Sequence, residues 1–288
     1  MKAPRLMFVH AHPDDESSKG AATAARYADV GVEVILVIVT GGEAGDVLNP
    51  AYGEVHPHDM PVVRAAELEE ATKIIGFTRV HLLGERDSGY HEDLDEVPDD
   101  TFWRAPLDRP ATRLAAIIRQ ERPHVVATYP ADGGYPHPDH IRTHTVTMAA
   151  VEMAADEDVD IEGVPTWDVP RTVYVTGFPR ERTMAIHEAM HAAGVQSPYA
   201  EWIDRIDERG PRDVDAIADV RIDVAAWFSR RDDALRAHAT QVDPAGAWFA
   251  VPRDLEAEIF PWETYCLLRG DPYPDGATDL FEGLDPRT

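Results

Sequence analysis

The feature that most constrains this chain is an alternation of short apolar runs with longer amphipathic stretches across its first half. Leu6 to Val9, Val34 to Val39, Val80 to Leu83 and Val125 to Tyr129 are runs of strand length. Between them lie helical patterns at Lys19 to Val30, closed by Gly31, at Val62 to Ile75, closed by Gly76, and at Ala111 to Arg122, stopped by Pro123. Strands that alternate with helices in this way form βαβ units and hence a parallel sheet. The expected fold is α/β, a Rossmann-like, mostly parallel sheet with helices on both faces. A further helix is expected to start near Pro138. After about Asp156 the pattern weakens to a strand at Thr172 to Thr176 and helices near Glu181 to Ala193 and Trp227 to Gln241. We therefore expect residues 1–155 to form the catalytic core and residues 156–288 a smaller C-terminal α/β lobe packed on it, the two making one continuous unit.

Charge narrows the partners. The 53 Asp and Glu outnumber the 27 Lys and Arg, for a formal net charge of -26. Such a surface repels phosphate backbones and anionic membranes, so nucleic acid and membrane are not expected as partners and a small molecule is. Lysine occurs only at Lys2, Lys19 and Lys73, against a background of arginine, which makes each one worth notice. Cys266 is the single cysteine, so no intrachain disulfide can form, and the opening segment has no apolar run of signal-peptide length. Both point to a cytoplasmic protein, with monomer and homo-oligomer left open.

The chemistry is concentrated in two places. His10-Ala-His12-Pro-Asp14-Asp15-Glu16 directly follows the first strand, and Gly133-Gly134-Tyr135-Pro136-His137-Pro138-Asp139-His140 follows the fourth. In the common doubly wound order, strands one and four are neighbours and ligands bind beyond their carboxyl ends, so the two runs should converge. A catalytic zinc takes three His or carboxylate ligands and leaves a position open. His12, Asp15 and His140 supply that set, with His140 in the first turn of a helix whose first residue is Pro138. Asp14 is then left over as a base for the attacking water. His137 and Asp139 form a second leftover pair, and Asp139 would fix the tautomer of a neighbouring imidazole. Each piece alone has a plainer reading: Asp-Asp as a helix cap, His-Pro as turn material. His144, one turn beyond His140, is read as packing or supporting the site rather than as a fourth ligand.

With these motifs the chain resembles the LmbE-like (PIG-L) zinc de-N-acetylases. Ser18-Lys19-Gly20-Ala21, Thr40-Gly41-Gly42-Glu43, Asp87-Ser88-Gly89 and Arg230 to Gln241 extend the likeness, toward the branch that hydrolyses mycothiol S-conjugates. The resemblance implies an amidase that releases glucosaminyl-inositol and an N-acetylcysteine S-conjugate, in thiol-dependent detoxification. It implies Zn2+, with Fe2+ as the other metal, on His12, Asp15 and His140, and Asp14 as general base. It further implies Tyr135 as oxyanion donor, His137 as general acid supported by Asp139, and substrate contacts from Arg64, Asp87, Glu43 and Lys19. The biosynthetic deacetylase of the same branch, which removes a plain acetyl group from the same sugar, is the alternative.

Two other classes fit less well. A phosphoesterase or lactamase-like hydrolase would require His at position 15 in a His-x-His-x-Asp-His run, where this chain has Asp15. A binding protein with a structural metal would close its site with four Cys or His ligands, and one cysteine beside a spare carboxylate does not.

Overall fold

The computed structural model describes residues 3–161, 163–203 and 213–284. Five strands, β1 (Arg5–His10), β2 (Glu33–Thr40), β3 (Arg79–Glu85), β4 (Val125–Thr128) and β5 (Arg171–Val175), pair in parallel in the order β3-β2-β1-β4-β5. Two later strands extend the same sheet. β7 (Trp262–Gly270) runs antiparallel to β5, and β6 (Val220–Asp223) forms the far edge, antiparallel to β7.

The sheet is apolar because both faces are covered. In β2, Val34, Leu36 and Ile38 point into one core while Ile35, Val37 and Val39 point into the other. The first core is roofed by α2 (Ala21–Asp29), α3 (Met60–Ile75) and α7 (Phe228–Ala237), through residues such as Ala25, Leu68 and Ala234. The second is covered by α4 (Asp108–Glu121) and α5 (Pro138–Ala155), through Leu114, Ile118, Val146 and Val151. A third cluster, with Ile186 of α6 (Arg180–Ala192) packed near Phe260 just beyond α8 (Arg253–Ile259), lies outside the sheet. Among the described residues no helix is long and apolar enough to cross a membrane.

The helix expected at Lys19 to Val30 is α2, which starts later, at Ala21, and a separate short turn, α1 (Asp15–Ser18), precedes it. Lys19 is extended, and Gly20 has φ 85°. A Cβ at Gly20 would lie 2.6 Å from Phe8 Cε1, so the chain turns where only glycine fits against β1. That break lets the residues after β1 form a separate turn at the sheet's carboxyl edge. The C-terminal elements β6, β7 and α8 have no counterpart in the sequence pattern, while the helix expected near 181–193 is present as α6 and the one near 227–241 is shorter, as α7.

Candidate metal centre and active-site cavity

β1 and β4 are hydrogen-bonded neighbours, and their carboxyl ends bring the two motifs into contact. After β1, the chain turns through Asp14 at φ 109°, a left-handed conformation costly for a residue with a Cβ, of order 1–3 kcal/mol. Three contacts hold it there. The Asp14 N–H donates to Glu16 Oε2 at 2.9 Å, Arg64 Nη2 donates to Asp14 Oδ2 at 2.7 Å, and Arg64 also donates to the Pro13 carbonyl. Glu16 is braced in turn by His238, whose Nε2 lies 2.6 Å from Glu16 Oε1 with both side chains fully buried. This brace is not among the roles expected from the sequence: His238 lies in the Arg230 to Gln241 stretch, but nothing in its spacing points to Glu16.

After β4, the Gly133–Gly134 turn leads into α5, with Pro138 as its first residue and His137 as its N-cap. His140 Nδ1 is 3.1 Å from the Gly133 carbonyl. A carbonyl only accepts, so the proton is on Nδ1 and the Nε2 lone pair is free. That Nε2 is buried, has no hydrogen-bond partner, and lies 3.3 Å from Asp15 Oδ2. His12 Nδ1 lies 3.4 Å from the same oxygen. Asp15, His12 and His140 thus aim ligand atoms at one spot, all within 4.8 Å of one another. Two imidazoles and a buried carboxylate around an orphaned lone pair suit a cation. Tyr129, also missed in the sequence, orients the carboxylate by donating to Asp15 Oδ2 at 2.8 Å.

A second group, His12, His137 and Asp139, also meets the spacing for a metal. Its atoms already have other work. His12 Nε2 donates to Asp139 Oδ2 at 3.2 Å, and the same oxygen accepts the Ser88 N–H at 3.0 Å. His137 Nδ1 accepts the Asp139 backbone N–H at 3.1 Å. The Asp139 carboxylate therefore faces His12, and Asp139 reaches His137 through its backbone. His137 keeps its proton on Nε2.

Electrostatics follow this arrangement. Burial pulls the His12 pKa down, but the Asp139 and Asp15 carboxylates outweigh it and hold the ring well above the usual histidine range. Burial, with Asp15 partly opposing it, lowers His140 to about 4. Burial, reinforced by His12 and His140, lowers His137 to about 3. Loss of hydration raises Asp14, with Arg64 opposing and Asp15 adding. Burial also raises the Tyr135 phenol, and nearby Asp15 and Asp14 push the same way.

The candidate site residues of both motifs, with Lys19, Glu43, Arg64 and Asp87, lie together around Asp15 and His12. Lys19 Nζ is 2.8 Å from Asp15 Oδ1 and 5.8 Å from the centre of the Tyr135 ring. Tyr135 is 39% exposed on its glycine turn, with its ring 4.5 Å from that of His140. Arg64 is buried, not a surface charge of α3, and its Nη1 also donates to the Gly42 carbonyl. A Cβ on Gly42, at φ 68°, would lie 2.6 Å from the Arg64 guanidinium carbon, so this close approach requires glycine. Asp87 accepts the Ala44 and Gly89 N–H groups, and Glu43 accepts the Asp87 N–H. His144 donates to the Tyr129 carbonyl at 2.8 Å, as a supporting residue would. His56 and His58 lie in an exposed turn before α3, against each other.

Arg64, Asp87 and Glu43 flank the group on the β2 and β3 side. A cavity of about 760 Å³ adjoins Asp14, Asp15, Lys19 and Tyr135, and extends over the β5 and β7 side to Phe178, Trp248 and Trp262.

Residues 7–151 match the PIG-L family model, described as GlcNAc-PI de-N-acetylase. The chain is 43% identical over 292 residues to the mycothiol S-conjugate amidase of Streptomyces coelicolor, covering 97% of each chain. It is 39% identical over 298 residues to a 1D-myo-inositol 2-acetamido-2-deoxy-alpha-D-glucopyranoside deacetylase of Streptomyces avermitilis, covering 98% of each. The fold matches that of the N,N'-diacetylchitobiose deacetylase from Pyrococcus horikoshii with a TM-score of 0.60 at 18% identity, over 100% of this chain and 88% of that one.

Proposed function

Because this chain belongs to the PIG-L family and is a hydrolase of amide bonds, we propose that it cleaves the amide of mycothiol S-conjugates, using zinc held by His12, Asp15 and His140. The observation that carries the choice of substrate is the cavity beside the site. Its volume of about 760 Å³ is in the range that encloses a drug-sized ligand, about 300–1,000 Å³. A two-carbon acetyl group needs no such space, whereas an S-substituted N-acetylcysteinyl group does. The contacts from Arg64, Asp87 and Glu43 are assigned to the sugar and inositol, on the opposite flank.

The donor set fits zinc. Nitrogen and carboxylate ligands suit it, and the buried, orphaned His140 Nε2 with His12 Nδ1, both beside Asp15 Oδ2, marks a place for a cation. Iron(II) accepts the same ligands. An ion held by His12, Asp15 and His140 would supply Lewis acidity at this site.

The chain's own residues carry the rest. Asp14, raised in pKa and held by Arg64 and Glu16, takes the proton from the attacking water. Tyr135 donates its hydroxyl hydrogen toward the oxygen that gains charge. His137, neutral near pH 7 with its proton on Nε2, donates a hydrogen bond to the leaving nitrogen. The proton that Asp14 took from water then passes to that nitrogen as the C–N bond breaks. Asp139 holds His12 in the tautomer that leaves Nδ1 facing Asp15.

The test is turnover of a mycothiol S-conjugate beside that of N-acetylglucosaminyl-inositol, with metal-loaded and chelated protein. We expect a higher kcat/KM on the conjugate and loss of activity on chelation. A preference for the acetylated sugar reassigns the chain to mycothiol biosynthesis, and full activity without metal removes the metal reading.

A further inference from the structure

The far end of the cavity has a chemical character of its own. Phe178, on the loop between β5 and α6, and Trp248, in a short helical turn at Ala247–Phe249, stand with ring centres 5.5 Å apart at 58°. Both are 37% exposed, so each ring leaves apolar surface uncovered by the other. They line the cavity that begins at Asp15 and Tyr135, so the surface they leave open faces the site rather than bulk solvent alone.

Three arginines also line this end, and each is already engaged by a carboxylate of the protein. Glu256 accepts from Arg182 at 2.7 Å, from Arg231 at 3.0 Å and from Arg253 at 2.7 Å. Asp232 accepts from Arg253 at 2.6 Å and from Arg231 at 3.2 Å. The Arg182 guanidinium further lies 4.9 Å from the Phe178 ring centre, and Arg253 donates to the Trp248 carbonyl. The arginines therefore stiffen the aromatic wall and do not wait for an anion. Glu201 and Asp215 on the same wall, and the chain's net charge of -26, disfavour an anion further.

We propose that Phe178 and Trp248 form a specificity-determining subsite for a planar, uncharged aromatic substituent on the acyl side of the scissile amide. This rests on the amidase reading above, in which that substituent is carried on the cysteine sulfur. An aromatic ring laid against the two side chains gains apolar burial and offset or edge contacts, while the engaged arginines give a carboxylate little in return for its hydration.

The experiment uses metal-loaded protein and three conjugates that differ only at sulfur: S-methyl, S-naphthylmethyl and S-carboxymethyl. The expected kcat/KM order is naphthylmethyl, methyl, carboxymethyl. Trp248→Ala and Phe178→Ala should each lower the naphthylmethyl-to-methyl ratio by roughly 2- to 10-fold, and Trp248→Phe should restore most of it. Thermal unfolding of each variant separates this from loss of fold. In parallel, titration calorimetry measures binding of free S-naphthylmethyl-N-acetylcysteine to wild type and Trp248→Ala. Unchanged ratios and unchanged affinity in the Ala variants overturn the subsite, as does a preference for the carboxymethyl conjugate. If only the acetylated sugar is hydrolysed, the amidase reading falls, and the calorimetry then decides the subsite: binding weakened in Trp248→Ala retains it, and equal binding overturns it.

Discussion

Asp139→Ala separates two ways in which one carboxylate could serve the site. In the structure the carboxylate accepts from His12 Nε2 at 3.2 Å and from the Ser88 N–H at 3.0 Å, fully buried. Its link to His137 is a backbone N–H at 3.1 Å, which survives removal of the side chain. Truncation therefore leaves His137 in place and strands two buried donors, each costing about 1–3 kcal/mol. It also frees His12 to put its proton on Nδ1, where it competes with the metal. Losing a partner of this kind weakens metal binding by roughly 10- to 100-fold, or about 1.4–2.8 kcal/mol. Asp139→Asn keeps the shape and one acceptor without the charge, and should fall between Ala and wild type. The assay is zinc affinity by competition with a chelator of known strength, alongside kcat on metal-saturated enzyme and thermal unfolding. Zinc affinity in Asp139→Ala within twofold of wild type, with kcat alone reduced, refutes the argument and returns Asp139 to a role through His137.

Asp14→Asn should keep zinc and lose roughly 10²-fold or more in kcat, since it removes the base but not a ligand; loss of zinc there, with retention in Asp15→Asn, would reverse the two roles. Tyr135→Phe should lower kcat more than it raises KM, by up to roughly 3 kcal/mol for a fully preorganised donor and less for a ring this exposed, and an unchanged kcat in metallated protein would remove the role. Lys19→Ser should narrow the preference for the conjugate over the acetylated sugar; because Lys19 also pairs with Asp15, zinc content must be measured in the same samples, and an unchanged ratio at equal zinc would count against a substrate contact. Burial alone would raise the Glu256 pKa, but Arg231 and Arg182 bring it down to about 2 from 4.5. A depressed carboxylate stabilises the fold above its unfolded pKa, so Glu256 with its arginines should contribute about 3 kcal/mol at neutral pH that is lost as pH falls from 4.5 toward 2. Glu256→Gln should flatten that part of the stability curve, and a curve of unchanged slope would refute the assignment.

Much of the fold was legible because the apolar runs of β1, β2 and β4 and the caps of α3 are local signals. Gly76 follows the last turn of α3 in the left-handed conformation, as its place in the sequence suggests. The break at Lys19–Gly20 was not legible, because it is imposed by Phe8 on a different element. Nor were β6 and β7: β6 is four residues long and finds its place by pairing with β7 and by bridging to Ala277, both distant in sequence.

The sequence by itself determined which residue types stand after the two strands, imidazoles and several carboxylates including Asp14 and Asp15, since each depends on residue identity and short spacing. The likeness of its motifs to one hydrolase family was equally a property of residue order. Only the tertiary structure decided which nitrogen of His12 and His140 is free, because tautomers are set by partners such as Asp139 and the Gly133 carbonyl. It also decided that Glu16 and His238, 222 positions apart, brace the turn at Asp14. The cavity is likewise tertiary: its walls come from β5, α6, α7 and the segment before α8, and no local pattern in any of them indicates that they enclose a common space.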